Sequence, residues 1–276
     1  MKQSDYLMQQ YALIKAWENE EPGVVSKTFG KLLSPVGKLI SVVVPEKVIE
    51  SAINAANAAA QYLTDTDDVL RDGKVESIEE LRPKDLKLCD QMADSVHNWA
   101  VGIATAEGAT VGATGLPGLV ADIPFITTLA LRTIYKIGVC YGYVADASNA
   151  EEEKAFALGV LAAANASTLG EKASFVLGLK QISLLIQRNA WKKLAEMGTA
   201  NLLAKSVVSV RQAAKLIGVN LTKRKASQAI PVFSGGVAAA LNASFINDIA
   251  WAARRSYQRR WLEENKVIEP EASVDE

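Results

Sequence analysis

Three carboxylates stand where a helical chain could do acid–base or metal chemistry. Asp90 falls in a helical pattern four residues before Asp94 and seven before His97, so the three side chains share one face. Glu107 closes the same pattern, and Asp122 follows a glycine-rich apolar run. Brought together by packing near Asn242 and Asn247, the set Asp90, Glu107 and Asp122 would hold Mg²⁺ or Mn²⁺ and activate water, which is the chemistry of a hydrolase. Arg132, Asn242 and Asn247 are the candidate ligand contacts, as polar groups set into apolar helical patterns. Each has a plainer reading as well. Asp90, Asp94 and His97 also suit a solvated stripe, and Asp122 ahead of Ile123-Pro124 suits a helix N-cap.

Other sites are excluded or weakened by what the chain lacks. Asp68, Asp72, Gly73 and Glu79 fit positions 1, 5, 6 and 12 of a calcium loop, but Leu70 takes the third position and Arg71 adds a cation to the fourth. The plainer expectation is a turn at Asp72-Gly73 and a short helix capped by Ser77, with Glu80 completing a capping box. One histidine and two cysteines rule out a soft-metal centre, so no metal site is assigned. There is no GxSxG elbow, HExxH pair, GxGxxG or GxxxxGK[ST] run. No cofactor is required, and a divalent cation is the one the carboxylates admit. The formal charge of −1 recruits no nucleic acid.

Nearly half the residues are apolar and mean hydropathy is slightly positive. Lys27, Lys31 and Lys38 punctuate an apolar stretch broken by Gly30, Pro35 and Gly37, and Lys223, Arg224 and Lys225 precede a charge-free run over 226–247. Lysines beside an apolar face meet lipid phosphates while the apolar side sinks, so these six are the expected membrane contacts. A lid helix with solvated lysines would carry the same pattern. Arg254, Arg255, Arg259 and Arg260 suit a helix C-terminus and could also face anionic lipid. Asp122 and two prolines interrupt the apolar run between Glu107 and Arg132, so a simple bilayer span is not expected. Residues 1–23 lack the apolar core and cleavage site of a secretory signal, and Cys89 and Cys140 read as reduced, buried thiols. The expected location is the cytoplasm, on the inner membrane face.

Periodicity places helices over 4–19, 46–63, 84–106, 125–141, 151–168, 172–197, 201–217 and 226–260. Alanine density and the absence of β-patterned runs predict an all-α fold, a single compact multi-helix domain with two long central apolar helices, 125–141 and 226–247. Residues 1–70 are expected to pack on or extend a domain over 71–265, with 266–276 a disordered tail.

Three segments resemble the EcsC family. They are GATGLPGLVADIP with its helix running to Tyr141-Gly142, the VESIEEL run from Val75 to Leu81 with Asp90 beyond, and LTKRKASQAIPVFSGGVAAALN. The resemblance covers roughly residues 75–260 and leaves the first 70 outside. It implies an all-α protein of bacterial type working at the membrane, in a family named after a protein encoded beside an ABC transporter, and it carries over no catalytic residue. The leading expectation is a helical protein without evident catalysis that binds lipid or an apolar ligand between its helices. The alternatives are the carboxylate hydrolase and an adaptor of a membrane transporter.

Overall fold

Apolar residues at helical spacing, separated by alanines that let helix axes approach, leave the chain one economical way to bury its surface. The computed structural model describes residues 3–22, 46–112, 116–145, 149–187 and 236–270. Among these there are eight α-helices, one 3-10 turn and no strand, so the chain is all-α. In order they are α1 (Gln3–Asn19), α2 (Glu46–Leu63), α3 (Asp67–Gly73), the 3-10 turn (Ile78–Leu81), α4 (Leu86–Gly112), α5 (Leu116–Cys140), α6 (Ala150–Ala164), α7 (Leu169–Gln187) and α8 (Gly236–Glu264). Lys27, Lys31, Lys38, Lys223, Arg224 and Lys225, and the helix expected over 201–217, lie outside the described residues.

The core is built on α5. Ile126, Leu129, Ala130, Leu131, Ile134 and Ile137 bury most of its circumference, and Thr128, Arg132 and Lys136 form the one polar stripe at four-residue spacing. Ile49, Ala52, Ile53 and Ala56 recur at helical spacing on α2 and seal one side of α5, while α4 and α8 take the others. Close approach of α5 to α8 needs Gly138, because a Cβ there would stand 2.7 Å from the Tyr257 ring. After α5 the chain turns through Gly142 at φ +90°, and its carbonyl accepts from Arg82 Nε at 2.9 Å.

Several boundaries differ from the periodicity. α5 begins at Leu116, so Asp122 sits inside it rather than capping it; Pro124 forfeits one backbone bond without ending the helix, since the turns on both sides keep theirs. Gly170 lies in the first turn of α7 instead of before it. Residues 67–73 are helical, and Asp68 takes Lys136 Nζ, so the acids from 68 to 79 form no calcium loop. Ser77 N–H donates to Glu80 Oε1 at 3.2 Å, the expected reach back of a capping-box glutamate. Beyond α8, Lys266 turns left-handed and Val267 N–H returns to the Leu262 carbonyl, so 266–270 close the helix, while 271–276 fall outside the described residues. Among the described residues no helix is long and apolar enough to cross a membrane.

Candidate functional site

The acidic face of α4 does not meet solvent as a stripe. It meets α8, which runs antiparallel to it, and the two exchange polar contacts in opposite register. Asp90, 2% exposed, accepts from Gln258 Nε2 at 2.7 Å, from Tyr6 OH at 2.6 Å and from Tyr141 OH. Asp94 pairs with Arg254, His97 Nε2 with Asn247 Oδ1 at 3.0 Å, and Glu107 with Asn242 Nδ2 at 2.9 Å. Burial raises Asp90 above the usual carboxylate range against the hydrogen bonds of Tyr141, Tyr6 and Gln258. Burial lowers His97, whose ring also meets Trp251 edge-on at 5.2 Å.

The four arginines near the end of α8 are not the exposed basic cluster that their position in the sequence allowed. All are buried and each has a partner. Arg254 pairs with Asp94, Arg255 Nη1 donates to Gln258 Oε1 at 2.7 Å and Gln10 Oε1 at 3.1 Å, and Arg259 bonds Glu263 at 2.8 Å and Glu18 at 3.0 Å. Arg260 binds Glu153 at 2.9 Å and Glu264 at 3.1 Å, with its guanidinium 3.8 Å above the Tyr143 ring. The physical reason is pairing: a buried guanidinium is tolerated where carboxylates and amide oxygens satisfy it.

This geometry separates the proposed catalytic carboxylates. Asp90 and Glu107 stand about 25 Å apart along α4 at a helical rise of about 1.5 Å per residue. Glu107 reaches Asn242, but Asp90 does not join them, and the side chain of Asp122 is outside the described residues. Asn247 is engaged by His97. Among the described residues no group of three or more His, Cys, Asp or Glu side chains is placed to hold a metal ion. Cys89 and Cys140 are free, buried thiols, and burial pushes Cys89 up to about 12.

Arg132 is placed differently. With Lys136 it lines a cleft of about 350 Å³ bounded by α3, α4 and α5. That volume lies in the range of about 300–1,000 Å³ typical of small-molecule sites. Val69, Met92, Val96 and Trp99 form its apolar wall, and Asp65, Asp68 and Asp72 its acidic rim. Lys136 is engaged by Asp68 and the Asp65 carbonyl. Against partial burial, which pushes it up, the hydrogen bond and charge of Lys136 hold Asp68 below its usual range. The Arg132 guanidinium stacks 4.9 Å from the centroid of Trp99, whose surface is 48% exposed, and it forms no ion pair among the described residues. Such a cleft offers an apolar floor ending at a cation. Sequence reasoning found Arg132 and missed Trp99; the available signal was an aromatic seven residues beyond Met92 on the same helical face.

Comparison with known proteins agrees with the motifs. The sequence model of the EcsC protein family matches residues 8–262, which takes in part of the N-terminal stretch where the motifs show no resemblance. The uncharacterized protein YdbA of Bacillus subtilis (strain 168) is 27% identical over 258 residues, covering 91% of this chain and 83% of YdbA. No solved structure matches.

Proposed function

We propose, from the premise that the chain belongs to the EcsC protein family, that it is a helical binding protein of the inner membrane face which takes a lipid or another apolar ligand with an anionic head. The cleft between α3, α4 and α5 carries this reading, because its apolar wall ends at Arg132 stacked on a half-exposed tryptophan. A guanidinium takes a phosphate or carboxylate through two N–H donors, and a tryptophan edge suits the boundary between headgroup and acyl chain. The Asp65, Asp68 and Asp72 rim repels a second anion, so the site fits a single headgroup rather than a polyanion. The chemistry asked of the residues is binding and orientation, with no group transfer.

The test is co-sedimentation of the purified chain with phosphatidylglycerol and phosphatidylcholine vesicles at low and moderate salt, beside titration with a soluble anionic lysolipid. Salt-sensitive binding to the anionic vesicles is expected. Arg132→Ala and Trp99→Ala should each weaken lysolipid binding by about ten-fold, or about 1.4 kcal/mol, with unchanged helix content. Lysolipid binding that survives both substitutions would remove the cleft from this role.

A further inference from the structure

We infer that α1 is a removable cover over a basic surface of α7 and α8, and that an anionic phospholipid surface is the partner that takes its place. The identity of the partner rests on the membrane reading above; the cover itself rests on contacts alone.

The apolar seat of α1 is small. Ile14 is its one buried hydrophobic residue; Met8 and Leu13 face solvent, and Tyr6, Leu7, Tyr11 and Trp17 are only partly buried. What joins α1 to the bundle is polar. Tyr6 OH donates to Asp90, Gln10 Oε1 accepts from Arg255 and from Gln258 at 3.3 Å, and Glu18 accepts from Arg259 and pairs with Lys180 at 3.4 Å. Lys172 Nζ donates to the Trp17 carbonyl and to that of Glu20 at 3.1 Å, and sits 4.5 Å from the centroid of the Trp17 ring. Packing beneath the helix is incomplete, since a void of about 20 Å³, room for one water, lies among Trp17, Glu18, Arg255, Ser256 and Arg259.

Each of the cations Lys172, Lys180, Arg255 and Arg259 therefore receives an oxygen from α1, and they come from two different helices to do so. When α1 lifts, the four lose those oxygens, while Asp90 on α4 and Asp248 and Glu263 on α8 remain among the carboxylates beside them. Phosphate oxygens offer these groups what Glu18, Gln10 and the end carbonyls of α1 offer in the closed form, so a sheet of anionic headgroups competes for the same donors. The released helix gains as well. It carries two tyrosines and a tryptophan beside Leu7, Met8, Leu13 and Ile14, residues that settle at the headgroup boundary. The surface then favours the open state by its differential affinity for the uncovered cations.

A full-length Glu18→Cys/Lys180→Cys variant tests this, joined or not joined by a short bifunctional thiol reagent; Cys89 and Cys140 are buried and leave the reagent to the introduced thiols. The unjoined form is the reference, and the joined form should bind phosphatidylglycerol vesicles at least about ten-fold more weakly than it. Glu18→Gln, which loosens the cover and keeps all four cations, should bind several-fold more tightly than wild type. Equal binding by the joined and unjoined forms would overturn the cover while leaving the membrane reading standing. Failure of wild type, Glu18→Gln and the unjoined form to bind, with helical circular dichroism intact, would overturn both.

Discussion

Replacing Arg260 by methionine isolates the most deeply buried ion pair among the described residues. Arg260 and Glu153 are each 2% exposed, so neither charge has water to fall back on. Removing one member of such a pair typically costs about 3–5 kcal/mol, because the partner is left charged and unpaired. Here a bound can be worked. Burial already pushes Glu153 up, opposed chiefly by the charge and hydrogen bonds of Arg260. Without them its least costly course is to take a proton. From an ordinary value of 4.5, protonation near pH 7 costs about 3–4 kcal/mol at about 1.4 kcal/mol per unit. The stacking of the guanidinium on Tyr143 adds about 0.5–1 kcal/mol. The sign follows from linkage: a carboxylate whose folded pKa rises contributes stability at low pH and loses it as pH rises. Arg260→Met should therefore be destabilised by about 4 kcal/mol near pH 7 and by less than about 2 kcal/mol near pH 5. Arg260→Met/Glu153→Gln should recover most of the loss near pH 7. Urea unfolding followed by far-ultraviolet circular dichroism measures all three proteins. A loss equal at the two pH values, or a double variant as unstable as the sum of the singles, would refute the reasoning.

Two further outcomes follow from the same packing. Gly138→Ala places a methyl against the Tyr257 ring, which is held between Tyr141, Tyr143 and Phe156. It should cost about 1–3 kcal/mol in thermal or urea unfolding, and an unchanged midpoint would show that α5 and α8 can move apart freely. Burial lowers His97, so the folded chain resists a proton that the unfolded chain accepts below about pH 6.5, and stability contributed above that value is lost on acidification. His97→Gln keeps a donor for Asn247 without a titrating ring. The variant should show a shallower fall in stability between about pH 7 and 5 than wild type, and parallel profiles would remove His97 as the cause.

The sequence alone determined the helices and the family. Four-residue spacing of apolar side chains, alanine density and proline positions are local properties, and they placed α2 at residues 46–63 and the body of every other described helix but the short α3, where a turn at Asp72-Gly73 was expected. They also showed Arg132 as an exception on an apolar helix, which is why part of the cleft was legible. Tertiary structure decided what the polar residues do. Asp90 looked like a solvated or catalytic acid because Tyr6, Tyr141 and Gln258 lie 84, 51 and 168 positions away, and periodicity carries no information across such separations. Arg254 to Arg260 looked like a basic surface because their partners Asp94, Gln10, Glu18 and Glu153 come from three other helices. A helical pattern states which side chains share a face. Whether that face meets water, lipid or a complementary helix depends on which surface packs against it, and that choice is made only when the whole bundle closes.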